Sequence, residues 1–404
     1  MAGKVMSDEA RLADLLRAAL DERQDRLLLR RRRTIDPLGG AMVEYEGRPY
    51  VNFSSNDYLG LRTHPTMIDA VVEAARKHGA GSGASPLVGG YGSAHASAEQ
   101  ALARWKGTQA SVLLPSGYQA NQAVVQTLAA CAEAAGASVR FLLDKLVHAS
   151  LIDAVRASGL PMRVFPHNGI EKLQRLLEEA DAGELQVVVT ESIFSMDGDA
   201  ADLRSIAELK RQKPFVLVVD EAHGSGVYGQ VGAGYAAECG IAEQIDIFVV
   251  TLSKALGAIG GVVCASADFC DGLVNFGRAY IYSTSVPPTV PAAVETALSV
   301  LRSEPQRQAR VRALSNHVRV ALREQGIAVP SGDSPIIPLI LGSEQAAVLE
   351  ADRLMALGIL ALPMRPPTVA RGSSRLRITL SSVHTDEQVS ALIDALAQKS
   401  ASSR

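Results

Sequence analysis

The sequence predicts an α/β protein, with a large domain on a mostly parallel sheet and a smaller α+β C-terminal domain. Two observations predict it. Between residues 111 and 264, short apolar runs alternate with helical patterns, as strands covered on both faces require. Most of those runs also end in titratable or hydroxyl residues, where open α/β sheets bind ligands. The expected organisation is a helix and hairpin segment (1–57), a large domain (58–300) and a small domain (301–404).

Residues 8–33 read as one helix, with Leu12, Leu15, Leu16, Ala19 and Leu20 at helical spacing. It runs into Arg30, Arg31, Arg32 and Arg33, whose plain reading is a solvated charged face. Apolar segments on either side of Gly47 predict a hairpin, and Pro65 opens a helix to about His78. The strand-like runs are 111–114, 141–143, 187–189, 216–219, 247–250 and 261–264. Beyond residue 300 the pattern predicts helices over 304–325, 344–357 and 385–398, with strands over 336–341 and 376–380.

A net charge of −3 supplies no global field to recruit nucleic acid or an anionic membrane, so neither is an expected partner. Two stretches nearly free of charge, 107–132 and 247–267, do not read as bilayer spans. Pro115, Gly117 and Asn121 break the first, and Lys254 sits in the second. Residues 1–33 hold no apolar leader core. Cys131, Cys239, Cys264 and Cys270 are scattered without the paired spacing of a metal site, so no metal is expected. Reduced thiols, buried at Cys264 and Cys270, and a cytoplasmic location are the expectation.

Lys254 is the sole charged residue between Asp246 and Asp268. A lysine among neutral neighbours loses its proton more easily and becomes the nucleophile that Schiff-base chemistry needs. Thr251 and Ser253 beside it can hydrogen-bond a phosphate. Asp220 follows a strand, three residues before His223. It is either a turn or cap residue, or the partner of a pyridinium nitrogen, with His223 reaching the ring's phenolic oxygen. His148 is either a satisfied core histidine or a catalytic one.

The glycine-rich stretch 79–95 contains no Walker A pattern and no strand-led dinucleotide fingerprint. Ser116-Gly117-Tyr118 is better placed for phosphate, because backbone N–H groups at a helix start bind anions. Tyr118 there could stack on a ring. Arg375 and Arg377 share one face of a strand whose other face is Leu376, Ile378 and Leu380. They are either two solvated arginines on a half-buried strand or a bidentate clamp on a carboxylate.

Asp220-Glu221-Ala222-His223, followed by Thr251-Leu252-Ser253-Lys254 and a glycine-rich tail, resembles the fold-type I (aspartate aminotransferase-like) pyridoxal-phosphate enzymes. Three further segments resemble the α-oxoamine synthases within that class. They are Asn52-Phe53-Ser54-Ser55-Asn56-Asp57-Tyr58-Leu59-Gly60, His148-Ala149-Ser150-Leu151-Ile152-Asp153 and Glu191-Ser192-Ile193-Phe194-Ser195-Met196-Asp197-Gly198-Asp199. They fall along most of the chain in the family's order. Arg365-Pro366-Pro367-Thr368-Val369 with Arg375-Leu376-Arg377, and Tyr282-Ser283-Thr284-Ser285-Val286-Pro287-Pro288, resemble the branch serving biotin biosynthesis.

The resemblance implies pyridoxal 5'-phosphate as cofactor and a homodimer with shared active sites. It implies that Lys254 forms the Schiff base and later removes the amino acid's α-proton. Asp220 would hold the pyridine nitrogen, His148 would stack on the ring, and His223 and Ser195 would contact its edge. Gly117, Tyr118 and Thr251 would bind the phosphate, with Ser283 and Thr284 arriving from the partner. Arg377 would take the amino-acid carboxylate, with Asn56 near the reacting centre, and Arg30 and Thr368 would contact the acyl chain. The implied substrates are L-alanine and a pimeloyl thioester, carried by coenzyme A or by acyl carrier protein. Rival readings are a sister synthase using glycine, serine or another acyl chain, and a non-catalytic binding module. Intact Lys254, Asp220 and His223 speak against the module.

Overall fold

The computed structural model describes residues 8–181 and 183–402. Residues 1–7, part of the stretch read as lacking a leader, lie outside the described residues. A seven-stranded sheet runs in the order Ala110–Leu114, Gly261–Ala265, Ile247–Thr251, Val216–Asp220, Leu185–Glu191, Val139–Asp144, Met162–Phe165. Successive side chains of a strand point to opposite faces, and here both faces are buried. Leu142, Val188, Leu217 and Val250 enter one core cluster, while Phe141, Val187, Val218 and Val249 enter the other. That two-sided burial is why these strands read as unbroken apolar runs.

Gly261–Ala265 pairs antiparallel with both neighbours, and the other pairings are parallel. A parallel return needs a crossover of roughly a dozen residues or more, and residues 252–260 are too few. The remaining strands therefore bring their carboxyl ends to one edge, and the loops that follow them meet there.

The sequence does not reveal Met162–Phe165, an edge strand of four residues with exposed Arg163 and Val164. The first helix is also shorter than the expected 8–33, spanning Asp8–Asp25. Leu27 turns to φ 54°, and the Leu28 and Leu29 amides both donate to the Arg23 carbonyl. Four adjoining arginines would have set like charges on neighbouring turns, which disfavours continuing the helix.

Met42–Tyr45 and Arg48–Asn52 form the hairpin, with Glu46 and Gly47 both at positive φ as a two-residue turn between twisted strands requires. A three-stranded sheet comprises Ile336–Gly342, Ser374–Thr379 and Pro363–Met364, with Gln306–Glu324, Glu344–Ala356 and Asp386–Ser402 as nearby helices. The Thr379 amide donates to the Phe53 carbonyl, and the Phe53 amide donates to Leu360, so the chain just before Asn56 is sewn to this C-terminal region. Cys264 and Cys270 are buried free thiols, whereas Cys131 is exposed. No helix among the described residues is long and apolar enough to cross a membrane.

Candidate active site

Beyond the carboxyl edge of the large sheet lies a cavity of about 240 Å³ lined from five strand ends. Its residues are Gly117, Tyr118, Asn121, His148, Ser150, Glu191, Asp220, Ala222, His223, Thr251, Ser253 and Lys254. Helix Gly117–Ala135 starts at this cavity, capped by Ser116, whose hydroxyl accepts the Gln119 amide at 3.2 Å. A Cβ at Gly117 would fall 2.3 Å from Thr251 Oγ1, so only glycine lets the helix start approach that hydroxyl.

One turn along the helix, Asn121 Nδ2 donates to Asp220 Oδ2 and to Ser150 Oγ, both at 2.9 Å. Asp220 Oδ1 accepts the Ala222 amide at 2.9 Å, so this buried carboxylate is held at two points. His148 caps helix Ala149–Ser158, its Nδ1 2.8 Å from Ser150 Oγ. It is exposed at the cavity rather than packed in the core, which rules out the core-histidine reading.

Lys254 Nζ lies 2.8 Å from His223 Nε2. Burial pushes the lysine down to about 8, against the pull of Asp220 and Glu191 and with help from Arg377. Burial, then the charges of Lys254 and Arg377, hold His223 well below the usual histidine range, so it is neutral at physiological pH. With Nε2 accepting from the amine, Nδ1 carries the proton and donates to Tyr58 Oη at 2.6 Å, a tautomer assigned from the network. Tyr58 donates to Asn56 Oδ1 at 3.3 Å and accepts from Arg377 Nη2 at 3.3 Å.

Arg377 also donates to Asn56 Oδ1 at 2.9 Å and to the Ser195 carbonyl at 2.6 Å. Arg375 instead meets Asp197 at 2.5 Å and the Met196 carbonyl at 3.2 Å. Both arginines are buried, which corrects the solvated reading. Arg375 is committed to Asp197 and the Ser373 and Met196 carbonyls, which leaves Arg377 as the one of the two beside the site.

Other expected residues are more dispersed. Tyr118 lines the cavity, half-exposed, and donates to Asp153 at 3.3 Å. Ser195, Ser283, Thr284, Asn56 and Arg377 are outside the lining set. Ser283 Oγ accepts from Gln119 of the same chain at 3.0 Å, and Thr284 is exposed. Arg30 donates to Thr368 Oγ1 at 2.8 Å in a second cavity of about 620 Å³, which also contains Arg31, Arg32, Arg33 and Arg365.

Tyr58, Asn121, Ser150 and Glu191 are site residues that the sequence does not single out. Asn121 carried a signal, since four residues after Gly117 it shares that helix face. Tyr58 carried none. Glu191 stands in register beside Asp220, and burial together with that carboxylate pushes its own proton affinity well up.

Pyridoxal phosphate fits what is present. The phosphate needs N–H donors and a hydroxyl, which the helix start and Thr251 supply. The pyridine nitrogen needs a fixed carboxylate, supplied by Asp220, and the aldehyde needs an amine of lowered basicity, supplied by Lys254. Asn121 Oδ1 and Glu191 Oε1 are buried without a hydrogen-bond partner among the described residues, so the cavity has polar capacity left to satisfy.

Residues 48–396 match the aminotransferase class I and II family, and the chain belongs to it as a fold-type I pyridoxal-phosphate enzyme of the α-oxoamine synthase group. Pyridoxal phosphate is its cofactor and acyl transfer its class of reaction, so the binding-module alternative is overturned. The chain is 41% identical over 388 residues to 8-amino-7-oxononanoate synthase of Cellvibrio japonicus, covering 96% of each. Among solved structures, it resembles serine palmitoyltransferase of Sphingomonas wittichii at TM-score 0.88 and 27% identity, covering 99% of both chains. It also resembles 8-amino-7-oxononanoate synthase of Francisella tularensis at TM-score 0.75 and 26% identity, covering 88% of this chain and 98% of that one.

Proposed function

We propose that this enzyme condenses L-alanine with a pimeloyl thioester, releasing CO₂ and the free thiol carrier and forming 8-amino-7-oxononanoate for biotin biosynthesis. The observation carrying the reading is the hydrogen-bonded line Lys254–His223–Tyr58–Arg377. It sets a weakly basic amine and a carboxylate-binding guanidinium at opposite ends of one short network, as an amino-acid substrate requires. The relatives are named for the product 8-amino-7-oxononanoate, whose carbon skeleton a pimeloyl chain joined to alanine with loss of CO₂ would supply.

When bound, the cofactor supplies an electron sink for the pair left on the amino acid's α-carbon. Lys254 would hold it through its amine and would be the base for the α-proton. Asp220 keeps the ring nitrogen protonated, and Asn121 and the Ala222 amide keep Asp220 in place. His148 would cover a ring face, with His223 and Ser195 at its edge. Gly117, Tyr118 and Thr251 would hold the phosphate. Arg377 orients the carboxylate with Asn56, and Arg30 and Thr368 receive the acyl chain. Exposed Thr284, with Ser283, completes the phosphate site of a second copy in a cytoplasmic homodimer. We assign the cofactor domain to 58–300 and the small domain to 301–404, with 1–57 as an arm.

A second reading, a sister synthase taking serine or glycine, draws on the higher TM-score of the serine palmitoyltransferase. Thiol release measured with L-alanine, glycine and L-serine against pimeloyl and palmitoyl thioesters separates the two. The proposal requires L-alanine with pimeloyl thioester to be fastest, and preference for another pair overturns it. Running each acyl chain on coenzyme A and on acyl carrier protein identifies the carrier.

A further inference from the structure

Away from the cavity, His167 stands between two carboxylates. Its Nδ1 lies 3.1 Å from Asp144 Oδ1, and its Nε2 lies 2.6 Å from Asp199 Oδ2. With both ring nitrogens facing carboxylate oxygens, both must donate, so the ring is an imidazolium. Burial opposes that charge, but the hydrogen bonds to Asp144 and Asp199 outweigh it and push the group up to about 10. The Phe194 ring packs perpendicular to the imidazolium, with ring centroids 4.4 Å apart.

Each carboxylate belongs to a different loop of the site. Asp144 ends the strand Val139–Asp144, and its Oδ1 accepts the Leu146 amide at 2.8 Å, shaping the turn that delivers His148. Asp199 closes the loop carrying Ser195, with its carbonyl accepting the Phe194 amide at 2.9 Å. The other side of that loop is held by the C-terminal sheet through Arg377 on the Ser195 carbonyl and Arg375 on Asp197. Asn168 adds to the clasp, with its amide on Asp144 Oδ2 and its side chain on the Ala200 carbonyl, both at 3.0 Å.

We propose that His167 is a positioning residue, a charged clasp that holds the Ser195 loop against the His148 turn and so presents Arg377 to the amino-acid carboxylate. The inference rests on Arg377 being the carboxylate receptor. Without His167, Asp199 loses its charged partner while Asn168 still holds Ala200, so the Ser195 end of the loop shifts with Arg375 and Arg377 and the guanidinium follows it. The acyl contacts at Arg30 and Thr368 lie in a different cavity and do not share this support.

The test uses the holoenzyme with His167→Ala and, as a variant that keeps shape, Asp199→Asn. Amino-acid dissociation constants are read from the absorbance shift of the cofactor, and KM for the thioester is measured separately. Both variants should weaken L-alanine by about tenfold or more, the scale of one charged hydrogen bond, with thioester KM nearly unchanged. Added imidazole should restore amino-acid affinity to His167→Ala, since the histidine is partly open to solvent. Equal losses on both substrates, or a lowered melting temperature with unaltered amino-acid affinity, would overturn the proposal. If the wild type binds glycine or serine instead, the same comparison is made with that amino acid, so a wrong substrate assignment is told apart from a wrong role for His167. If Arg377→Ala leaves amino-acid affinity intact, the receptor assignment has failed instead.

Discussion

The amine of Lys254 and Nε2 of His223 are 2.8 Å apart, donor to acceptor, in a pair that burial makes reluctant to hold charge. The lysine thereby has a fixed direction and a proton that leaves more easily than usual. Lys254→Ala should abolish thiol release and the Schiff-base absorbance band, while leaving noncovalent cofactor binding measurable by equilibrium dialysis. Turnover near the wild-type rate would remove Lys254 from the centre of the mechanism.

The same pair has a pH consequence. Pyridoxal phosphate reacts with the neutral amine, and Lys254 titrates at about 8 in the cofactor-free protein. The rate of cofactor attachment should rise with pH, reach half its maximum near that value and then level off. An ordinary lysine would go on gaining to roughly pH 10.4. On stability the sign is that of a lowered lysine. As pH falls from roughly 10.4 to about 8, the unfolded chain takes up the proton first, and this group's contribution declines. Stopped-flow absorbance across pH 6–11 checks the kinetic expectation.

Arg377 donates to Asn56, Tyr58 and the Ser195 carbonyl at once, a use of its planar fork that lysine cannot copy. Arg377→Lys should raise KM for the amino acid by about 10- to 150-fold, as expected for losing roughly 1.5–3 kcal/mol of charged hydrogen bonding. KM for the acyl thioester should change little. Steady-state kinetics with each substrate varied in turn distinguishes this from a general loss of folding.

Arg30 is hydrogen-bonded to Thr368, and the proposed function gives it the far carboxylate of a dicarboxylic acyl chain. Arg30→Ala should lower kcat/KM for pimeloyl thioester by about 10- to 150-fold, again the scale of one charged hydrogen bond. A straight-chain thioester of similar length without the carboxylate should be nearly unaffected. Equal losses on both would assign Arg30 to the carrier or to folding.

Shared sites in a dimer predict complementation. Lys254→Ala and Thr284→Trp subunits should each be inactive alone, yet regain activity when mixed, because one of the two sites in the hybrid carries neither lesion. Absence of recovery, with subunit exchange shown by mass spectrometry and an inactive Thr284→Trp parent, would count against sharing.

What was legible in the sequence lies close to strands. Lys254 and His148 follow a strand end within a few residues and Asp220 closes its strand, and unbroken apolar runs mark those strands locally. Met162–Phe165 escaped notice because an edge strand with an exposed face carries no such run. The segment after Asp25 misled, since the leucine spacing that marks the helix says nothing of the turn at Leu27.

By itself, then, the sequence determined the parallel sheet, the edge where its loops gather and the lysine in a neutral segment, all properties of residues near one another in the chain. Only the tertiary structure decided that Arg377 reaches Asn56 across 321 positions while Arg375, on the same strand face, goes to Asp197. The same holds for Tyr58 against His223 and for His167 between Asp144 and Asp199. Side-chain period places residues on a face, but which partner each one meets depends on how the C-terminal sheet and the large sheet's loops pack together.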